Sequence, residues 1–170
     1  MISTIEVAEQ GSPLTYTFED LMRYHGPGSP GGVAQAVKVM ERGLPLLAPG
    51  ELLERREIQI ETAFAGPGAR DAFEMVTRAV TEGRYVVDDG LARPDLGPTR
   101  ERFVCRLGYR GRSVTVALRE GYVSEEFLSL VRMAERTEQQ ELRLTVLKRE
   151  MADLLLASPA TEVYDVDGEI

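Results

Sequence analysis

Two glycine- and proline-rich turns, each running straight into an apolar helical stripe, constrain this 170-residue chain more than any other feature. The first, His25 to Gly32, reads HGPGSPGG, and four glycines with two prolines in eight residues leave no room for a regular element. Apolar side chains then fall at Val33, Ala36, Val37, Met40 and Leu44, a three-and-four spacing that predicts a helix closing near Gly43 to Pro45. The second turn is Gly66, Pro67 and Gly68. It precedes the stripe Ala69, Ala72, Phe73, Val76 and Val80, predicted to end at Gly83. In both places the first residues of a helix face whatever occupies the turn.

The segments around these turns alternate between strand and helix patterns. Ile2 to Val7 reads as an extended lead-in, and Thr17 with Asp20 resembles a capping box opening a brief helix from Phe18 to Tyr24. Ile58, Ile60, Thr62 and Phe64 alternate with Gln59, Glu61 and Ala63, the period of a strand with one face on a core. Arg84 to Val87 fits a short strand, and the polar stretch after it is a connection. Phe103, Cys105, Leu107 and Tyr109, then Val114, Val116 and Leu118, predict a hairpin turning at Arg110, Gly111 and Arg112. From Ser124 to Leu155 the pattern is helical, as one helix or as two broken near Thr137, and the tail from Glu162 starts as a strand and ends acidic. No repeat or composition break divides the chain. The expectation is one α+β domain over residues 1–170, with a mixed or antiparallel sheet, a central hairpin and packed helices.

Composition removes several functions. One Cys and one His exclude an intrachain disulfide, a zinc finger, an iron–sulfur cluster and any His/Cys-rich centre within one chain. A formal charge of -8 and a pI near 4.8 disfavour binding to a nucleic-acid backbone. No stretch approaches the 18 or so apolar residues of a membrane span, and the amino terminus has no basic segment leading into an apolar run, so cytoplasmic residence is expected.

His25 is the first candidate for chemistry, because histidine is the side chain suited by type to acid–base work at neutral pH and it stands at the mouth of the first glycine turn. A histidine ending a helix and bonding a terminal carbonyl is the alternative. Glu61, on the strand face opposite Ile60, and Asp71, in the first turn of the next helix, offer carboxylates to bind a metal, hold His25 in one tautomer or take a proton. Their alternatives are a solvated strand face and a helix-dipole partner. Cys105 reads as a buried, inert thiol. Arg110 and Arg112 read as hairpin-tip residues, Arg70, Arg78 and Arg84 would matter if they lined an acidic substrate's pocket, and Tyr24 reads as core rather than a stacking platform.

These motifs carry a resemblance to the FmdE-like family, which takes its name from a component of formylmethanofuran dehydrogenase. YHGPGSPGGVAQAVKVM resembles its first motif, an aromatic, His-Gly-His-x-Cys-Pro-Gly and a helix; ETAFAGPGARDAFEMVTRAVTEGR resembles its strand, Cys-x-x-Asp-Ala turn and helix; FVCRLGYRGRSVTVAL resembles the hairpin that follows. The resemblance runs from about Phe18 to Val166. It implies an α+β fold, a homodimer and a pocket in which His and Cys side chains bind a metal. His25 and Asp71 match the family's residues, whereas its second His falls on Pro27, its Cys positions on Ser29, Gly68 and Ala79. With no thiolate left, a thiolate-ligated metal is disfavoured and the cofactor is unknown.

What the resemblance then implies is a small-molecule pocket in which His25 acts as general acid or base, Asp71 orients it or the substrate, and Ser29 with nearby N–H groups holds an anionic or carbonyl oxygen. The alternatives are a non-catalytic subunit of a larger complex and a weaker metal site made by His25, Glu61 and Asp71.

Overall fold

The computed structural model describes residues 3–168. Ile2, where the extended lead-in was expected to begin, and Glu169 in the acidic tail lie outside them.

The chain begins with an antiparallel hairpin of its own, β1 (Thr4–Glu9) and β2 (Ser12–Thr17), where a single lead-in strand was expected. Its turn is Gln10-Gly11, both at positive φ, the two-residue turn whose twist suits paired strands. Glu54 fastens it by accepting the Gln10 and Gly11 N–H groups at 2.9 and 2.7 Å. Helix α1 (Phe18–His25) follows, opened by the expected capping box of Thr17 and Asp20.

Helix α2 (Pro30–Leu47) is the axis of the core, with Val33, Ala34, Ala36, Val37, Val39, Met40, Leu44 and Leu47 all buried. It does not close near Gly43. That glycine makes room for the sheet, since a β-carbon there would lie 2.6 Å from Leu107 Cδ1, and Pro45 is carried inside the last turn.

Strand β3 (Gln59–Thr62), helix α3 (Pro67–Thr77) and strand β4 (Tyr85–Val87) make a parallel crossover unit. Helix α3 stops before the predicted Gly83 because Arg78 turns left-handed, at φ 59, and returns its N–H to Glu74 O. Strands β5 (Val104–Tyr109) and β6 (Arg112–Leu118) form the expected hairpin, turning on Arg110-Gly111 with both φ positive. Helices α4 (Glu125–Val131) and α5 (Glu138–Ala157) are separate, divided before Thr137, which caps α5 with Gln140. A four-residue helix, α6 (Ala160–Val163), leads into β7 (Tyr164–Val166).

The main sheet is mixed, in the order β4-β3-β5-β6-β7, with β5 at its centre. Ile60, Thr62, Cys105, Leu107, Val114, Val116 and Leu118 lie buried on the face that α2 covers, and Gln59, Glu61, Arg106, Ser113 and Thr115 stand on the other. The class is thus α+β, in one domain.

Candidate functional site

The two glycine turns meet. A β-carbon on Gly32, in the first turn of α2, would lie 3.2 Å from the backbone nitrogen of Ala69, and one on Gly68 would lie 2.5 Å from the Ser29 carbonyl oxygen. Both helices carry Pro in their first turn and neither has a side-chain cap or a first-turn acid, in contrast to α1, α4 and α5. Glycine at these positions lets the two helix starts touch backbone to backbone.

Beside this junction His25, the last residue of α1, reaches Asp71, the fifth residue of α3. Its Nδ1 stands 2.8 Å from Asp71 Oδ2, and the imidazole is about nine-tenths buried. Asp71 is therefore one turn further along α3 than expected, and it serves as the partner of His25 rather than as a helix-dipole residue. Its other oxygen, Oδ1, accepts from Arg70 at 3.2 and 3.3 Å. His25 Nε2 is buried without any hydrogen-bond partner. Buried polar nitrogens are nearly always paired, and leaving one unpaired costs on the order of 1–3 kcal/mol. Lys148 borders the same turn from α5, donating to Gly28 O at 3.1 Å.

The other predicted residues divide. Ser29 sits at the α2 start against Gly68, one turn of α3 before Asp71, and its hydroxyl bonds neither His25 nor Asp71. Glu61 is not brought to the site: it stands on the open face of the sheet, paired with Arg106 at 3.3 Å, while Asp71 and His25 lie on the helical side. Among the described residues no three His, Cys, Asp or Glu side chains are placed to hold a metal ion, so the His25, Glu61 and Asp71 set does not form. A thiolate centre does not fit either. Cys105 is the sole thiol, sealed in the core, and burial pushes its pKa well up, helped by the Glu61 charge.

Arg84 is committed to the backbone. It donates to the carbonyls of Ile58, Arg55 and Thr77, and Arg55, which sequence reasoning did not single out, caps Met75 and Val76 in the same way. Arg78 forms the left-handed turn that ends α3. Tyr24 is half exposed rather than core. Tyr85 was also missed: its hydroxyl is buried without a partner, and burial pushes its pKa up to about 12. No spacing rule marks either one.

An open groove of about 510 Å³ lies elsewhere, between β1 and the second half of α2, lined by Glu6, Glu41, Leu44, Ala48 and Glu51 among others. Its Glu41 Oε1 is also buried without a hydrogen bond, but it lies 3.3 Å from the buried ammonium of Lys38, whereas His25 Nε2 has neither a hydrogen bond nor a charge partner among the described residues. The His25–Asp71 pair is the better candidate. No protein-family model matches the chain, and no curated protein matches it. Among the described residues no helix is long and apolar enough to cross a membrane.

Proposed function

We propose that the chain is a small cytoplasmic FmdE-like protein that binds, and acts upon, a small polar or anionic metabolite beside the junction of α2 and α3. The observation that carries this reading is the His25–Asp71 pair with Nε2 buried and unsatisfied. A carboxylate-oriented imidazole is the usual arrangement of a general base, and an unpaired buried nitrogen is a group reserved for a partner that the chain does not supply. The resemblance draws support from the same place, since positions 25, 29, 68 and 71, separated in sequence, gather there. Ser29 and the uncapped first turns of α2 and α3 are the groups that would hold an anionic or carbonyl oxygen.

Ligand-dependent melting tests the reading. A panel of small organic acids, hydroxy acids and phosphate esters is expected to contain compounds that raise the melting temperature of the wild type and leave His25→Ala unmoved. Equal shifts in both proteins, or none in either, would overturn it.

A second reading, as a partner subunit or homodimer, rests on the apolar side chains that α4 and α5 leave in solvent: Val131, Leu142, Val146 and Leu154. Light scattering on the purified chain and co-purification from its native cell separate a self-associating protein from a subunit.

A further inference from the structure

We infer that the ligand of this site presents a hydroxyl, thiol or N–H proton to Nε2 of His25, and that Asp71 holds the imidazole in the tautomer that receives it. The inference rests on the proposal above and specifies which chemistry the site takes.

The tautomer follows from the partners. An ionised carboxylate only accepts hydrogen bonds, and both Asp71 oxygens are engaged as acceptors, Oδ2 by His25 Nδ1 at 2.8 Å and Oδ1 by Arg70. The proton between His25 and Asp71 therefore belongs to Nδ1. A neutral imidazole has one N–H, so Nε2 carries a lone pair and no hydrogen. That lone pair is sealed from solvent and unanswered. Carbonyl, carboxylate and phosphate oxygens, which only accept, have nothing to offer it; a protic group does.

A metal is the other species that answers a lone pair, but it needs further donors. Among the described residues no third His, Cys, Asp or Glu side chain stands with this pair. The step is then a proton transfer: the X–H bond of the ligand breaks, its electron pair stays on X, and the proton forms a bond to Nε2. Asp71, a positioning residue, faces the resulting imidazolium charge across the Nδ1 hydrogen bond.

His25 is the only histidine, so selective ¹⁵N-histidine labelling yields a single imidazole. In the ligand-free wild type at neutral pH, Nδ1 is expected to show the resonance of a protonated ring nitrogen and Nε2 that of an unprotonated one. Ethanol, a protic probe, should move the Nε2 resonance upfield, and acetone, an acceptor of similar size, should leave it in place. Asp71→Ala should lose the tautomer preference. A proton on Nε2, an imidazolium at neutral pH, or equal responses to the two probes would overturn the inference. Should Asp71→Ala fail to fold, the wild-type spectra decide alone. A wrong tautomer leaves the melting result standing, whereas a melting panel without a His25-dependent ligand fails the broader reading whatever the tautomer.

Discussion

Gly68 packs on Ser29 so closely that a β-carbon at position 68 would stand 2.5 Å from the Ser29 carbonyl oxygen and 3.1 Å from the Val33 nitrogen. Both are backbone atoms, which no side-chain rotation can move aside. The contact joins the starts of α2 and α3 and so sets the position of Asp71 relative to His25.

Gly68→Ala is accordingly expected to destabilise the protein. Alanine is the better helix former by up to about 1 kcal/mol, but the overlap with backbone opposes this, and overpacking of such a contact costs about 1–3 kcal/mol. With a net cost of about 1–2 kcal/mol, the melting temperature is expected to fall by about 2–8 °C at the usual 2–4 °C per kcal/mol for a chain of this size. Gly28→Ala, with no atom within 4 Å of the new carbon, is the control and should move the midpoint by about 1 °C or less. An unchanged midpoint for Gly68→Ala would mean that the helix starts are not in contact.

Signals that act over a few residues were legible in the sequence. The Thr17 and Asp20 box needs only its own turn, and the same spacing in Thr137 and Gln140 marks the division between α4 and α5, although the long apolar pattern on both sides masks it. The parity of the β3 strand put Glu61 opposite Ile60, but the identity of its partner, Arg106, depends on the register of β5. Gly43 illustrates what local rules miss. It sits where a helix-ending glycine would, yet it is there because Leu107, 64 positions away, needs the space. The pairing of His25 with Asp71 is of this second kind: each lies beside a glycine turn, and only tertiary packing of α1 on α3 makes them neighbours. Glu61 failed as a site residue for the same reason, since a strand face is legible but what covers it is not.

Arg84 holds the end of α3 in place of a glycine cap. Its guanidinium donates to Ile58 O at 2.5 Å and to Thr77 O at 2.9 Å, drawing β3 and α3 together at their ends. Charged hydrogen bonds to carbonyls contribute about 1.5–3 kcal/mol each when their loss strands the acceptor. Arg84→Met, which keeps much of the stem but strands both carbonyls, is expected to cost about 3 kcal/mol or more in a urea titration. Because the acceptors are neutral, added salt should change that difference little; a loss that vanishes in high salt would instead assign the stabilisation to the exposed pair with Glu82.

Cys105 should be unreactive in the folded protein. Its thiol faces the core between β3 and β6, and burial raises its pKa, so the thiolate that reacts with an alkylating agent is scarce as well as covered. Iodoacetamide at neutral pH is expected to modify less than about a tenth of the protein over the time in which the urea-unfolded chain reaches about one equivalent. Comparable rates in the two states would place the hairpin outside the stable core.

Tyr85 makes the protein sensitive to alkali. Its hydroxyl is buried without a partner, and burial, with a smaller contribution from Cys105, raises its pKa from 10 to about 12. For an acid whose neutral form is favoured in the folded state, the folded protein holds the proton more tightly than the unfolded chain. The corresponding stability is present in full below pH 10 and is lost as the pH rises from 10 towards 12. Tyr85→Phe removes both the titration and the unpaired hydroxyl. At pH 7 it should be neutral or stabilising by up to about 1 kcal/mol, because phenylalanine keeps the packing against Phe73 and abolishes an unsatisfied group. The gap should widen in favour of the variant above pH 10. Tyr164 titrates high as well, but it is present in both proteins and cancels in the comparison. Urea unfolding of wild type and variant at pH 7, 9, 10 and 11 gives the test: parallel curves across that range would show that Tyr85 ionises as freely in the folded protein as in the unfolded one.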